Sequence, residues 1–560
     1  MAETRNSPVF SPKTLYELSI LTITQNFRNL KKYLSDLPND AVFDVYYQLY
    51  KERRLHILGY VFSTMTTFCK MLTVTSRRVH LLQCFQSLVD YGTPINEILC
   101  VRYTESYRAF GEDPAAREEL IKQGLGLGGF LSDAAWYARS EQVLIVCKRL
   151  CLKNNSTPNE WCRTLECYRK LLHAQAAFCS FTQAAETYQL AVELIKRLKE
   201  TECTDYHYAA IYTEFSILFY MKSEYDEAYR WSIEALKQLK TSSSARVTVD
   251  TLRQAAKSCV LKREFQRASL LIRQAVYMAK EVFGVEHPVY SNVLIDYGYY
   301  WLNFDNIVNS VNLYEDALAI KIEVFGKKNL HVALAHEDLA YALYVHEYRS
   351  GDFPIHIKKA INIMLQVLRE DHLLLASAKR IQALILEEMA LDSRSRAELK
   401  EVLLNTAESL HLGALQSTKR AFGERNVQTA KLLLCFCPIR IKEELLGPDD
   451  QEVSLSIGHL ASLYNFHMCL YKDAERLYYR SIDIGLKLFG TSYSGLEYDY
   501  HGLINVYTKL NEYDKVREYT TILNNWKMLR DEHVKSEEPP IHPNRRPQPI
   551  VDVIKTFFSM

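Results

Sequence analysis

Apolar and polar positions along most of the chain alternate with a helical period, and the period is broken at regular places. Residues 208–220 carry apolar side chains at helical spacing, Lys222 and Ser223 break the pattern, and a second amphipathic stretch begins at Tyr225. This arrangement predicts two helices joined by a short turn. Residues 287–325 repeat the plan, so we expect a series of helical hairpins.

One position in the second helix of each predicted hairpin is occupied by a small residue. Successive members of this series lie 44, 44, 40, 42, 43 and 54 residues apart. Several of these helices are closed nine residues later by a Phe-Gly pair, in which glycine supplies the left-handed conformation of a helix end. A fixed period is typical of stacked repeats, so the sequence predicts an all-α helical solenoid with a period of about 42 residues. The small positions are Cys147, Ala191, Ala235, Ala275, Ala317, Ala360 and Ala414.

One repeat is too short for a full hairpin. The helix-closing glycines Gly423 and Gly447 are 24 residues apart, which leaves out roughly 18 residues of a repeat. Counting back places Pro438 in the interior of a second helix, where proline costs roughly 3 kcal/mol. We therefore expect residues 431–440 not to form a full hairpin and the solenoid to be interrupted there. The truncation near 424–447 is either a degenerate repeat or an artefact of the gene model or of splicing.

Composition and charge narrow the class of protein. The chain has 560 residues, 48% of them hydrophobic, and 19 glycines, which allows a large helical core without sheets or disulfides. The net charge is +1 and basic residues are not concentrated in any stretch, so direct nucleic-acid binding is not expected. The sequence lacks the long apolar run of a membrane span or a signal peptide. We expect a cytoplasmic protein.

The 13 cysteines are expected to be small core residues, because a reducing compartment keeps buried thiols free. The C-x-C pair at residues 435–437 has no second pair near it, so the sequence predicts no metal site and no cofactor. The cysteines at interior positions of predicted helices include Cys147, Cys162, Cys167, Cys259 and Cys469.

An enzyme is the main alternative class, because residues 124–129 contain the glycine-rich run Gly-x-Gly-x-Gly-Gly. A phosphate-binding loop needs a strand before it and a helix start after it, whereas these glycines lie within a predicted helical unit. Close helix packing is the better interpretation. His331, His336 and His346 have neighbouring carboxylates but no metal-ligand spacing, and we interpret them as solvated or peptide-facing. No catalytic residue is predicted.

The predicted first helices share an apolar residue, a small residue and an aromatic or apolar residue at fixed spacing. This pattern resembles the tetratricopeptide repeat, and the long period with its Phe-Gly punctuation resembles kinesin light chains. The residues that carry the resemblance are Tyr297, Gly298 and Trp301; Leu339, Ala340 and Leu343; and Leu460, Ala461 and Tyr464.

The N-terminal fifty residues carry two short motifs. Leu15, Ser19 and Ile23 lie at i, i+4 and i+8, on one face of a predicted helix. This pattern resembles an elongin-BC box, in which the middle residue is most often cysteine. Leu37 and Pro38 precede a second predicted helix and resemble the start of a cullin-2 box, which would continue with an aliphatic residue at position 41 or 42. The resemblance implies elongin binding by the first motif and cullin binding by the second.

Resemblance to one kinesin-light-chain-related family extends over residues 14–530, in segments such as FDVYYQLY, LGGFLSDAAWY and HVALAHEDLAY, and fails at residues 431–438. It implies a non-catalytic substrate receptor of a cullin-2 RING ubiquitin ligase that binds elongin B/C, cullin-2 and C-terminal degrons of the Arg-x-x-Gly type. The alternative it implies is a kinesin- or microtubule-associated cargo adaptor, with the amyloid precursor protein cytoplasmic tail among its cargo. Either protein would act in the cytoplasm, on the cytoskeleton, in the nucleus or at membrane surfaces, and either is compatible with a homo-oligomer.

A peptide-binding groove is expected on the concave side of the solenoid, which the first helices of successive hairpins line. A basic pair at i, i+4 suits the carboxylate of a peptide C-terminus, and an acidic cluster two repeats later suits a degron arginine. The alternative is that these are ordinary solvated groove residues. The candidates are Arg253, Lys257, Asp296, Tyr299, Asn303, Glu337, Asp338 and Tyr341.

These features divide the chain into five parts. We expect a disordered N-terminus (1–13), helices of the elongin and cullin boxes (14–56), a helical connector (57–115), the solenoid (116–528) and a disordered proline-rich tail (529–560).

Overall fold

Every regular element in the described part of the chain is a helix, which confirms the predicted all-α helical solenoid. None of the described helices is both long and apolar enough to cross a membrane. The described residues form two compact units. The segment predicted to be a disordered N-terminus, 1–13, lies outside the described residues except for residue 13. The computed structural model describes residues 13–109, 113–201, 206–346, 353–391, 397–432, 436–536, 540–542 and 544–560.

The first unit contains the described residues up to Ala174 together with Glu323–Asn329. Two short 3-10 helices, Lys31–Asp36 and Thr75–Arg77, lie between its α-helices. Those helices are α1 (Leu15–Gln25), α2 (Phe27–Leu30), α3 (Asn39–Lys51), α4 (Leu55–Phe62), α5 (Met65–Leu72), α6 (Arg78–Asp90), α7 (Ile95–Ala109), α8 (Pro114–Asp133), α9 (Tyr137–Lys153) and most of α10 (Pro158–Ala177).

The first unit has an aromatic core that extends beyond the boundary predicted from the sequence at residue 115. Phe68 of α5 and Phe85 of α6 both pack edge-on against Phe130 of α8, with ring centroids 5.2 and 5.0 Å away. Helix α8 opens the predicted solenoid, yet its apolar face is buried against the predicted connector. The chain therefore divides after Ala174 and not at residue 115.

The second unit contains the helical hairpins of the remaining chain. Its helices are α11 (Phe181–Glu200), α12 (Ala209–Met221), α13 (Tyr225–Lys237), α14 (Ala245–Leu261), α15 (Phe265–Phe283), α16 (Pro288–Asn303), most of α17 (Ile307–Phe325), α18 (Leu330–His346), α19 (Phe353–Val367), α20 (Leu373–Leu391), α21 (Ala397–Phe422), α22 (Val427–Ala430), α23 (Phe436–Leu446), α24 (Gln451–Phe466), α25 (Tyr471–Phe489), α26 (Gly495–Lys509), α27 (Tyr513–Ser536) and α28 (Ile550–Ser559).

Small residues lie where the two helices of a hairpin approach each other. Ala235, Ala275 and Ala317 have no exposed surface. Gly298 lies so close to the following helix that a Cβ atom there would be 2.9 Å from the ring of Tyr314. The helix-closing glycines adopt φ values between 68° and 95°, which residues with a side chain rarely adopt. They are Gly284, Gly326, Gly423, Gly447 and Gly490.

Within the second unit, the turn inside one hairpin contacts the start of a first helix several repeats later. We call these the inter-repeat contacts. The turn residues advance along the chain by 41 and 42 residues, whereas their partners advance by 24 and then 44 residues. The short repeat therefore occupies the place of a full repeat in this series. The contacts join Lys222 to Asn426 (3.1 Å), Arg263 to Asp450 (3.2 Å) and Asp305 to Ser494 (2.9 Å).

The short repeat does not form a full hairpin, as expected, because α22 and α23 have only 4 and 11 residues. The expected interruption of the solenoid is wrong for the described residues, because these two helices stack between α21 and α24. Pro438 is the third residue of α23, and proline is tolerated in a first turn because that backbone position has no helical hydrogen bond to lose. Residues 433–435, within the segment expected to fail, lie outside the described part of the chain.

The prediction of a disordered tail is also wrong, because the last helix of the chain is part of the core of the second unit. Val553 and Phe557 of α28 are buried against α15, at 0% and 1% exposure. Before the helix, the side-chain amide of Gln274 both donates to the backbone carbonyl of Gln548 (2.6 Å) and accepts from its N–H (2.9 Å). The high proline content concealed an apolar i, i+3, i+7 pattern that begins at Ile550.

Candidate functional site

Helix α1 presents one apolar face to solvent and buries the opposite one. Leu15 is 82% exposed and Ser19 is also exposed, while Ile23 is half-buried. On the other face Ile20 and Thr24 are buried. The three residues of the predicted elongin motif therefore lie together along the more accessible face, with the leucine most exposed.

Local hydrogen bonds fix the position of this helix. Thr14 and Glu17 form a capping box, in which the Thr14 hydroxyl accepts from the Glu17 backbone N–H at 3.2 Å and the Glu17 carboxylate accepts from the Thr14 N–H at 2.8 Å. The Tyr16 hydroxyl donates to Asp44 of α3 at 2.8 Å. The exposed leucine is thus held on an ordered helix at the surface.

The predicted cullin motif lies at the start of α3. Pro38 is the exposed N-cap residue of that helix, and Leu37 before it is half-buried. Val42 is buried in the first unit, so Ala41 is the more accessible of the two aliphatic positions expected after the proline. Phe43 and other apolar residues of α3 are buried, as the amphipathic pattern indicated.

The basic pair of the predicted groove is already bound to a carboxylate. Arg253 Nε on α14 donates to Asp296 Oδ2 on α16 at 2.6 Å, and Lys257 Nζ lies 3.4 Å from Asp296 Oδ1. A second carboxylate, that of Asp250, lies 3.1 Å from the Arg253 guanidinium. The structure thus brings three of the candidate residues together and pairs the two basic ones with an acidic one.

The aromatic and amide candidates line the same stretch of first helices. Lys257 Nζ lies 5.0 Å above the ring of Tyr220, a cation–π contact. Burial raises the pKa of the Tyr299 hydroxyl to about 12, so it stays protonated at neutral pH. The side-chain amide of Asn303 donates to the carbonyl of Tyr299 at 2.9 Å, one helical turn back.

The acidic candidates on α18 are hard to ionise. Glu337 is 8% exposed and accepts a hydrogen bond from the Ser377 hydroxyl at 2.6 Å. Burial raises its pKa to about 8, although the Ser377 bond acts in the opposite direction. Burial likewise raises the pKa of Asp338 to about 7, against the opposing effect of Lys321. A cation that approaches these carboxyl groups would stabilise their charged form.

One residue next to the candidates was missed from the sequence. The Arg380 guanidinium lies 5.8 Å from the ring centre of Tyr341. The repeat period leads to it, because Arg253, Asp296, Asp338 and Arg380 are 43, 42 and 42 residues apart. The period alone could therefore have found it.

Buried charges continue along the unit to the short repeat. Lys431 Nζ lies 2.7 Å from Glu452 on α24. Although burial acts in the opposite direction, Lys431 and Lys442 lower the pKa of Glu452 to about 2. No simple period would have predicted this pair, because the truncation shifts the register of the repeat.

The glycine run packs helices, as expected. A Cβ atom at Gly128 would lie 2.5 Å from Leu144 on α9, and one at Gly124 would lie 2.1 Å from the Tyr103 hydroxyl.

One histidine interpretation is wrong: His336 is buried, and its Nδ1 lies 2.9 Å from Nδ1 of His356. Burial, followed by His356, lowers the pKa of His336 to about 4.

Two predictions about cysteines also need correction. Cys469 is exposed and not part of the core. Three of the buried cysteines are not scattered, because the Sγ atoms of Cys147, Cys151 and Cys167 all lie within 4.8 Å of one another.

Comparison with known proteins finds relatives along the whole chain. No family model matches the sequence. The protein named amyloid protein-binding protein 2 from Mus musculus is 44% identical over 98% of this chain and 97% of its own length. The protein of the same name from Rattus norvegicus gives the same identity and coverage.

Solved helical structures are similar over part or most of the chain at low sequence identity. A Rap protein complexed with competence and sporulation factor has 13% identity, covering 71% of this chain and 99% of its own, with a TM-score of 0.43. The apo form of RapI has 11% identity, covering 70% and 99%, with a TM-score of 0.35.

Proposed function

We propose that this chain, which belongs to the amyloid protein-binding protein 2 family, is a non-catalytic adaptor that connects a peptide in its groove to a cullin-2 ubiquitin ligase. Elongin B/C would bind helix α1, and cullin-2 would bind next to Leu37 and Pro38. The name of the relatives supports the cytoplasmic tail of the amyloid precursor protein as one ligand. The adaptor would act in the cytoplasm.

The observation that carries this proposal is the exposure of Leu15. A leucine that is 82% exposed on a capped helix leaves apolar surface in water, and burying it on a partner is worth roughly 1.5–3 kcal/mol. Leu18 is 48% exposed on the same helix and enlarges the apolar surface. A cargo adaptor that works without a ligase has no need for this surface.

The charges of the groove support a peptide that carries both signs. Arg253 and Lys257 could exchange their bond to Asp296 for a bond to a peptide C-terminal carboxylate. Glu337 and Asp338, whose charged forms are disfavoured in the free protein, would be stabilised by a peptide arginine. A degron of the Arg-x-x-Gly type carries both groups within four residues.

The test is co-purification of elongin B/C and cullin-2 with the full chain and two variants. Leu15→Ser should abolish elongin recovery, and cullin-2 should be lost with it. Leu412→Ser, which removes a leucine that is 59% exposed on α21, should leave both unchanged. Equal recovery with Leu15→Ser, or no recovery with the parent chain, would overturn the ligase role and favour the kinesin- or microtubule-associated cargo adaptor.

A further inference from the structure

Three buried cysteines in the first unit have no part in the proposed function. Cys147 and Cys151 lie one turn apart on α9, and Cys167 lies on α10. All three side chains are fully buried, and their Sγ atoms lie within 4.8 Å of one another. Three thiols that converge from two helices on one point are the donor set of a soft metal ion.

The distances are close to those that a metal requires. With metal–sulfur bonds of about 2.3 Å, ligand sulfurs lie about 3.8 Å apart in a tetrahedral site and about 4.0 Å apart in a trigonal one. The sulfur atoms therefore need to approach by less than roughly 1 Å, which small rotations about the Cα–Cβ bonds can provide. The helices can keep their positions.

The hydrogen bonds of the thiols are weak and differ among the three cysteines. Cys147 Sγ donates to the carbonyl of Ile121 and Cys167 Sγ to that of Leu144, each at the long distance of 3.6 Å. Metal binding would replace these weak bonds and release the protons of the thiols that bind the ion.

The positive charge of Arg163 lies close enough to Cys151 to interact with it, and it can balance the charge of a metal complex. The buried Nε of Arg163 has no hydrogen-bond partner among the described residues, although the same guanidinium pairs with Glu118 through another nitrogen. A divalent ion with three thiolates has a net charge of −1. The guanidinium of Arg163 can neutralise that charge at low dielectric.

The fourth side of the cluster is closed by a tyrosine. The hydroxyl of Tyr103 interacts with Cys147 and donates to the carbonyl of Leu120 at 3.1 Å. Gly124 makes this position accessible, because a Cβ atom there would lie 2.1 Å from the hydroxyl and 3.0 Å from Cys147 Cβ. The tyrosine limits the access of water to the three sulfur atoms.

We propose that Cys147, Cys151 and Cys167 bind one soft divalent ion of the zinc class, with three sulfur ligands and Arg163 as the neutralising charge. The ion would connect α9 to α10 and so stabilise the first unit. This inference is independent of the elongin and peptide interactions.

The experiment is a titration of the reduced full chain with Cd²⁺, which absorbs in the near ultraviolet when it binds thiolates. The parent should show one equivalent of bound cadmium, and added Zn²⁺ should compete for it. Cys151→Ser and Cys167→Ser should each weaken binding at least tenfold. Cys259→Ser, which alters an equally buried cysteine in the second unit, should leave binding unchanged.

A second measurement covers the case in which a variant does not fold. In the parent chain, bound zinc should raise the melting temperature and should protect Cys147, Cys151 and Cys167 from alkylation, as mapped by mass spectrometry. The proposal is overturned if no absorption appears, if the absorption persists in both cluster variants, or if zinc protects other cysteines instead.

Discussion

Arg253 Nε on α14 lies 2.6 Å from Asp296 Oδ2 on α16, and this ion pair joins the first helices of two successive hairpins. Only 18% of the Arg253 side chain and 7% of the Asp296 side chain are exposed. The carboxylate thus occupies the donors that a peptide C-terminus would need. Peptide binding at this place is an exchange of one carboxylate for another, so its affinity depends on how strongly Asp296 competes.

We expect Asp296→Asn to destabilise the protein but to strengthen peptide binding. The substitution leaves Arg253 with Asp250 as its remaining anion, which should lower the free energy of unfolding by about 1–3 kcal/mol. The same change removes the internal competitor for a peptide carboxylate. Calorimetric titration with a peptide ending in Arg-x-x-Gly should show severalfold tighter binding, and the amidated peptide should show no gain.

Asp473→Asn is a suitable control, because this exposed carboxylate forms only a surface pair with Arg476. It should change neither stability nor binding. If Asp296→Asn affects the free and the amidated peptide equally, the peptide C-terminus binds elsewhere.

Glu337 should make the protein less stable as pH rises from 5 to 7. Its pKa is about 8 in the folded protein and about 4.5 in the unfolded chain, so between these values the unfolded chain has released a proton that the folded protein retains. Stability then falls with increasing pH. Glu337→Gln can keep the bond from Ser377 without this proton release. We expect the variant to match the parent at pH 5 and to exceed it by about 2 kcal/mol at pH 7.

Urea unfolding at the two pH values measures this difference. Glu401→Gln, at an exposed position of α21, should follow the parent at both. A constant offset between Glu337→Gln and the parent would show that the carboxyl group does not titrate in this range.

Asn426 should connect the short repeat to an earlier part of the second unit. Its side chain caps α22 by accepting from the Gln428 N–H at 2.8 Å, and it donates to the Lys222 carbonyl at 3.1 Å. Asn426→Ala should cost about 1–2 kcal/mol locally. Hydrogen exchange should become faster both in residues 427–446 and near Lys222.

Asn405→Ala, at an exposed position within α21, is the control for this experiment. Faster exchange confined to residues 427–446 would mean that the bond to Lys222 contributes nothing. Fast exchange of the short repeat in the parent chain would contradict the stacking between α21 and α24.

The C-terminal helix should be released by one substitution. Phe557 is 1% exposed against α15, and large-to-small changes at such positions cost about 3–5 kcal/mol. Phe557→Ala should therefore detach α28 and speed tryptic cleavage after Arg545. Phe558→Ala removes a neighbouring ring that is 45% exposed, and trypsin should cleave this variant at the same rate as the parent chain. Equal cleavage of the two variants would contradict the docking of the tail.

Local patterns in the sequence were sufficient to predict the hairpins and their closing glycines. The break at Lys222 and Ser223 separates α12 from α13, and Gly284 has the positive φ expected at a helix end. These features depend on residues close together in the chain. The prediction for Pro438 was wrong because it depended on the exact residue at which α23 begins. The prediction for the tail was wrong because it was inferred from proline content alone.

Side-chain pairing among the candidate binding residues could be predicted only in part. The repeat period placed Arg253 and Asp296 on successive first helices, but it could not indicate that they bind each other, because that depends on the angle between the helices. The thiol cluster was missed for a related reason. Cys147 was identified as a small packing residue, and the approach of Cys167 depends on how α9 and α10 pack.

The inter-repeat contacts, such as Lys222 with Asn426 and Asp305 with Ser494, have a consequence for the kinetics of folding. These two contacts join residues that are 204 and 189 positions apart in the sequence. Contacts between such distant residues form slowly, because the entropy of closing a long loop is lost before the contact contributes. We therefore expect the individual hairpins to form first and the inter-repeat contacts to form last.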